Sequence, residues 1–289
     1  MSKKTIHTLV SDIEEHINKL NKGERLNITE EDATNFGNQC KDLILDFATP
    51  YEKKEETLRM SNIGKPARQL WYDINSEEEV TPFSARLRTN FLFGHLLEPM
   101  LILFAKMAGH SVSSEQKEVK VSGVTGHMDC KIDGEVVDIK TASNFAFKKF
   151  QNGTLPEQDD FGYMAQLAGY EEAEGTKNGG FFAINKENGK LSMFIPSLMD
   201  KPNIKHRIAK LKRLLKAKTP PSLCYNPLPE GSFGNMKLPR QCTYCRHKFI
   251  CHEDSNSGKG LRVFKYAKNY AYLTTVIKTP RVEEITNEW

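Results

Sequence analysis

Residues 126–142, GHMDCKIDGEVVDIKTA, constrain the fold more than any other stretch of the chain. Asp133-Gly134 suits a two-residue type I′ turn, because both central positions of that turn need positive φ. A hairpin closed there pairs Ile132 with Glu135, Lys131 with Val136, Cys130 with Val137 and Asp129 with Asp138. Side chains alternate along a strand, so Met128, Cys130, Ile132, Val137 and Ile139 share a core face. Asp129, Asp138 and Lys140 share the other. Two carboxylates then stand opposite each other with Cβ atoms about 5 Å apart. At an effective dielectric of about 20 they repel by roughly 3 kcal/mol. On a solvated hairpin that repulsion fades. A divalent cation between the acids instead turns it into attraction, since hard cations take carboxylate oxygens.

The 289 residues are 27% charged and 38% hydrophobic, enough for a substantial core in one large or two modest domains. The longest apolar run, FLFGHLLEPMLILFAKMAG, is interrupted by His95, Glu98 and Pro99, so no membrane span is expected. The first twenty residues read as an amphipathic, acid-containing helix rather than an apolar signal core, which points to the cytoplasm. A net charge of +4 says little about a polyanionic partner. Residues 201–218 say more, carrying eight Lys or Arg and no acid, with Leu211, Leu214 and Leu215 on one side. A one-sided basic helix of this kind follows a phosphate backbone or is simply solvated; Lys210 and Arg213 are its candidate DNA contacts.

Helices are expected at 4–22 and 30–48, the second capped by Thr29 or Asn27, and another from near Ser61 with Pro66 in its first turn. A long apolar helix at 84–108 precedes a strand at 116–122 and the hairpin at 127–141. A loop rich in Phe and Lys leads to a helix at 160–173, and strands in 179–196 turn at KENGK. This alternation predicts an α/β fold with helices packed on a central mixed sheet. The expected organisation is a helical N-terminal region (1–55), a core (56–218), and a cysteine-bearing C-terminal region (219–289) packed on that core. The last stretch, LRVFKYAKNYAYLTTVIK, reads as strands or an extended arm.

Three further pieces join the hairpin. His95 and Glu98, three apart on an apolar helix, point the same way, and an unpaired buried carboxylate is costly. Gln166 and Tyr170, four apart, share a helix face. Gly-His-x-x-Glu (Gly94, His95, Glu98), Gly-x-x-Asp (Asp129), Asp-x-Lys (Asp138, Lys140) and Gln-x-x-x-Tyr then occur in that order. Together they resemble the PD-(D/E)XK nuclease superfamily, and within it the branch of RecB-like and lambda-type phage exonucleases. The resemblance runs from about Ser61 to residue 196.

It implies a restriction-endonuclease-like core and a Mg²⁺- or Mn²⁺-dependent deoxyribonuclease, most simply an exonuclease in recombination, repair or phage replication. An endonuclease or nickase, or a non-catalytic DNA-binding metal-cluster protein, are the alternatives. In this chain Asp129 and Asp138 would hold the metal with the Ile139 carbonyl, and His95 and Glu98 would complete the shell. Lys140 would orient or deprotonate the attacking water, and Gln166 and Tyr170 would position the strand. Upstream, SNIGKPARQLWYD matches the segment preceding the core in this branch, so Ser61 and Arg68 would hold a phosphate. Trp71 and Tyr72 would stack a base or be core aromatics. A single-strand-annealing or recombination protein is the partner such enzymes suggest, in a bacterial or phage-infected cytoplasm.

Of six cysteines, Cys40 and Cys130 fall at core positions. Cys242, Cys245 and Cys251 form a C-x2-C-x5-C thiolate knuckle. The same arrangement closes the nuclease domain in relatives with a [4Fe–4S] cluster. Their fourth ligand lies where this chain has Lys65, which leaves Cys224 as the best remaining donor. Four local thiolates suit either Zn²⁺ or the iron–sulfur cluster, with His247 and His252 as reserve zinc ligands.

Overall fold

A computed structural model describes residues 4–50, 56–76 and 84–286. In chain order the helices of eight or more residues are α1 (Leu9–Asn18), α2 (Glu30–Phe47), α3 (Ala67–Asn75), α4 (Ala85–Met107), α5 (Asn144–Gln151), α6 (Tyr163–Glu174) and α7 (Ile204–Leu215). The strands of the first half are β1 (Val112–Ser113), β2 (Lys117–Val121), β3 (Val124–Met128), β4 (Cys130–Ile132), β5 (Glu135–Ala142), β6 (Gly180–Asn185) and β7 (Leu191–Phe194). Those of the second are β8 (Leu228–Glu230), β9 (Asn235–Lys237), β10 (Arg262–Lys265), β11 (Tyr270–Thr275) and β12 (Glu283–Glu284). The chain divides into two compact units, Met1–Gly64 with Phe83–Lys210, and Lys65–Pro82 with Leu211–Trp289. The boundary expected at residue 55 lies outside the described residues. No helix among those residues is long and apolar enough to cross a membrane.

The first unit is built on a mixed sheet of order β1-β4-β5-β6-β7, in which only β5 and β6 run parallel. Helices flank it, as the alternation of elements predicts. Cys130, Ile132, Val137 and Ile139 bury one face against Leu9 and Ile13 of α1 and Leu101, Ile102 and Ala105 of α4. The opposite face carries Asp138 beside Phe181, its register partner on β6. Phe150 of α5 and Tyr163 of α6 pack their rings there at 5.8 and 6.2 Å from Phe181.

The hairpin has the expected register, Cys130 to Val137, Lys131 to Val136 and Ile132 to Glu135. Its turn residues Asp133 and Gly134 sit at φ 52° and 91°, the left-handed region that the type I′ turn requires. Asp133 has a second task. Its carboxylate lies 2.7 Å from Nδ1 of buried His110 and accepts the Ser111 N–H at 3.1 Å. The other ring nitrogen of His110 is 3.1 Å from Asp12 on α1.

Several elements depart from expectation. The strand expected from residue 127 is interrupted at Asp129: β3 pairs with β2, and only β4 pairs with β5. The helix expected from near Ser61 begins at Ala67 behind Pro66. Residues 60–65 are instead a tight turn, in which Asn62 accepts from Arg59 N–H at 2.9 Å and donates to the Thr57 carbonyl. The Phe- and Lys-rich loop contains α5, whose Ser143 cap and buried Phe147 and Phe150 make a short amphipathic helix. The first helix is shorter than expected, because residues 6–8 are turn. Thr29 rather than Asn27 caps α2.

The second unit holds an antiparallel sheet of order β12-β10-β11-β9-β8, so the C-terminal stretch is strand rather than arm. Leu238, Leu261, Val263, Tyr272 and Ile285 form its core. Asp73 of α3 is nearly enclosed and is bound by Lys65 at 3.2 Å, Arg246 at 2.7 Å and His247 at 2.7 Å.

Candidate active site

Asp138 and Lys140 are two apart on β5 and therefore share a face. Asp138 is 1% exposed, and Lys140 Nζ approaches its Oδ2 at 2.5 Å. Lys140 is the partner of this carboxylate among the described residues, an ion pair at hydrogen-bonding distance. Asp129 stands between β3 and β4, just before Cys130. Its Oδ2 accepts the backbone N–H of Ile139 at 2.6 Å, replacing the strand partner that β4 no longer supplies. Gln116 ties in α4: its backbone N–H donates to the Asp129 carbonyl at 3.0 Å and its side chain donates to Glu98 at 2.5 Å.

Three carboxylates and one ammonium thus crowd a partly dehydrated space. Burial raises the Asp129 pKa well above the usual range, and repulsion from Asp138 and Glu98 raises it further. Burial raises Asp138 as well, against the opposing pull of Lys140. Glu98 is raised by burial and by Asp138, although the Gln116 hydrogen bond works the other way. Burial disfavours the Lys140 charge, but Asp138 and Asp129 outweigh it and hold the ammonium protonated. The surplus of acid over base, three crowded carboxylates to one ammonium, fits a divalent cation. As they stand, no three His, Cys, Asp or Glu side chains among the described residues form a metal-holding group.

His95 is exposed, one helical turn before Glu98. Both line a cavity of about 530 Å³ with Asp42 and Asp46 of α2 and with Glu115 and Gln116. The Ile139 side chain belongs to the core. Its carbonyl points to the same neighbour as its N–H, the Asp129 side, because a strand residue turns both groups one way.

On α6, Gln166 donates to the Tyr170 hydroxyl at 3.3 Å. Burial pushes the Tyr170 pKa up to about 12, with Asp138 and Asp129 contributing, so the hydroxyl stays protonated beside the acids. Sequence reasoning missed Tyr163, over whose ring Lys140 Nζ lies 4.6 Å from the centroid. Its spacing was the available signal: Tyr163, Gln166 and Tyr170 are three and four apart and fall on one helical face. Gly162, just before it, meets Gly64 backbone to backbone; a Cβ on Gly162 would stand 2.2 Å from Gly64 Cα. Arg207 of α7 holds that turn through the carbonyls of Ile63 and Gly64, at 2.5 and 2.9 Å. Ser61 lies exposed in the same turn.

Arg68, Trp71, Tyr72 and the four clustered cysteines belong to the second unit. Arg68, in the second unit, spends its donors on Cys251 Sγ (3.0 Å), the Pro221 carbonyl (2.6 Å), the Cys251 carbonyl and the Tyr72 hydroxyl. Trp71 donates to the Ala217 carbonyl at 2.8 Å, and buried Tyr72 stacks on His247. Cys224, Cys242, Cys245 and Cys251 line one cavity of about 30 Å³. Burial and the neighbouring thiols raise Cys242 to about 12, and burial raises Cys224 and Cys245 too. Lys210 and Arg213 are exposed on α7, whose Ile204, Ile208, Leu211 and Leu215 are buried.

No protein-family profile and no curated protein matches the chain. Among solved structures it is similar to SSO0001, at 15% identity and a TM-score of 0.40, over 73% of this chain and 93% of that one. It is also similar to a phage-related exonuclease from Haemophilus somnus 129PT, at 13% identity and 0.38, over 55% and 93%. An alkaline exonuclease from Laribacter hongkongensis follows at 14% identity and 0.33, over 54% and 91%. At these identities and scores the likeness assigns no activity.

Proposed function

We propose that the chain is a divalent-metal-dependent deoxyribonuclease that hydrolyses phosphodiester bonds from DNA ends. The observation that carries this reading is the buried Asp138 carboxylate, partnered among the described residues by the Lys140 ammonium, with Asp129 and Glu98 crowded beside it. A protein core has no structural use for three crowded acids, whereas phosphodiester hydrolysis does. Asp129, Asp138 and the Ile139 carbonyl would hold Mg²⁺ or Mn²⁺, with Glu98 and His95 completing the shell from α4. Such an ion supplies charge neutralisation at the phosphate and a lowered pKa for water. In this reading Lys140 orients the attacking water and balances the acids. The protonated Tyr170 hydroxyl, supported by Gln166, donates to a phosphate oxygen.

The cysteine cavity of the second unit belongs to the same reading as a structural site, with Zn²⁺ or a [4Fe–4S] cluster on Cys224, Cys242, Cys245 and Cys251. Thiols that raise one another's pKa are relieved when a cation takes them as thiolates. Elemental analysis of anaerobically purified protein tests this part, and the absence of both iron and zinc would refute it.

The hydrolytic part is tested on end-labelled linear, nicked and closed circular DNA with Mg²⁺ or Mn²⁺. Mononucleotides released from linear DNA alone are the expected result. Cutting of closed circles would make the protein an endonuclease. Retained binding without cleavage under any divalent ion would overturn the catalytic assignment.

A further inference from the structure

Phe161 is 65% exposed, and its ring stacks on Tyr163 at a centroid distance of 5.5 Å and an interplanar angle of 25°. The Tyr163 ring also carries the Lys140 ammonium, itself paired with Asp138. An open aromatic ring is therefore joined to the acidic centre through a single side chain. Isolated exposed apolar residues are ordinary on protein surfaces, but this one is held firmly. Asp159 accepts the N–H groups of Gly162, Tyr163 and Met164 at 2.8, 2.9 and 2.8 Å. Lys149 of α5 donates to the Gln158 carbonyl at 2.7 Å and pairs with Asp160 at 3.3 Å. The loop is fixed on both sides of Phe161. A second open ring, Phe145, is 60% exposed, with Lys149 Nζ 5.9 Å from its centroid.

We propose that Phe161 is a stacking platform for an unpaired nucleobase, next to the site of phosphodiester cleavage. The proposal rests on the nuclease reading for the identity of its ligand. Every base has a π face, so a ring of this kind holds a strand without reading its sequence. Within a duplex both faces of a base are covered by its neighbours. The ligand is therefore a single-stranded or frayed DNA end. A ring fixed before binding loses little freedom on contact, which favours its use for holding substrate.

The test measures binding of single-stranded oligonucleotides, with Ca²⁺ in place of Mg²⁺, each carrying one abasic nucleotide at a successive position from the end. For the unaltered protein, one abasic position should weaken binding by about tenfold. Phe161→Ala should lose about the same factor on the intact oligonucleotide and show no further loss at that position. Phe161→Trp should restore binding. The abasic arm uses the unaltered protein, so a misfolded variant does not decide the outcome. An undiminished abasic penalty in Phe161→Ala, or intact binding by it, would overturn the platform. Cleavage is scored separately. Unaltered protein that cuts DNA without any abasic penalty removes the platform alone, whereas a Phe161-dependent penalty without cutting removes only the hydrolytic reading.

Discussion

The carboxylate of Asp129 accepts a 2.6 Å hydrogen bond from the backbone N–H of Ile139. One side chain thereby both completes a truncated strand ladder and adds negative charge next to Asp138. The two contributions are separable. Asp129→Asn keeps an acceptor for Ile139 and removes a crowded charge, so it should melt at or above the wild-type temperature while abolishing hydrolysis. Asp129→Ala also abolishes hydrolysis but orphans a buried N–H, at a cost of about 1–3 kcal/mol. Thermal denaturation of the pair checks the order; an Asn variant less stable than the Ala variant would contradict it.

Stability should fall as pH rises above the ordinary carboxylate range. Asp129, Asp138 and Glu98 have folded pKa values above their reference values of 3.8, 3.8 and 4.5. Between those references and the raised values the folded chain holds protons that the unfolded chain has released. Unfolding free energy then decreases with pH across that window. Asp73 has the opposite sign: burial opposes its charge, but His247, Lys65 and Arg246 outweigh burial and hold it well below the usual range. Its contribution is lost only as pH falls below that range, and so does not mask the effect. Urea unfolding from pH 4 to 8 should show the decline, and Asp129→Asn should flatten it.

Gly64 and Gly162 should each reject alanine. An added Cβ would stand 2.1 Å from the Gly162 carbonyl oxygen or 2.2 Å from Gly64 Cα, and Gly162 also has φ of +79°. Backbone on backbone leaves nothing to yield, so a loss of about 3 kcal/mol or more is expected. Gly175 has a similar φ of +69° but nothing within 4 Å, and its alanine variant should lose only about 1 kcal/mol. Equal melting temperatures for the Gly162 and Gly175 variants would contradict this account.

Lys210 and Arg213 are exposed on α7, opposite its buried side. If the helix follows the phosphate backbone, replacing both with alanine should lower the slope of log binding constant against log salt by about 2. The weakening should be similar for unrelated DNA sequences. An unchanged slope would leave α7 merely solvated.

Much of the hairpin is readable from the sequence because two constraints coincide there. Asp133-Gly134 dictates the turn, and alternating apolar residues dictate the face. The strand interruption at Asp129 is not readable, because it depends on Gln116 and the β2–β3 ribbon lying alongside. The eight residues of α5 span barely two turns and present Phe147 and Phe150 as their only buried positions, too short a pattern to separate from a loop. Arg68 illustrates long-range pairing. Beside aromatic residues it reads as a phosphate ligand, yet its partners Pro221 and Cys251 lie 153 and 183 positions away. No local pattern encodes such pairings, and the division that joins residues 65–76 to the C-terminal unit is hidden for the same reason.

Asp133 accepts a positive φ at the hairpin tip and also meets His110, which reaches Asp12 on α1. Bend and fastening reside in one side chain. Glycine would tolerate the same backbone angles but carries no acceptor, so exchanging this aspartate for it would cut the link from the hairpin tip through His110 to the first helix while leaving the curl of the ribbon untouched.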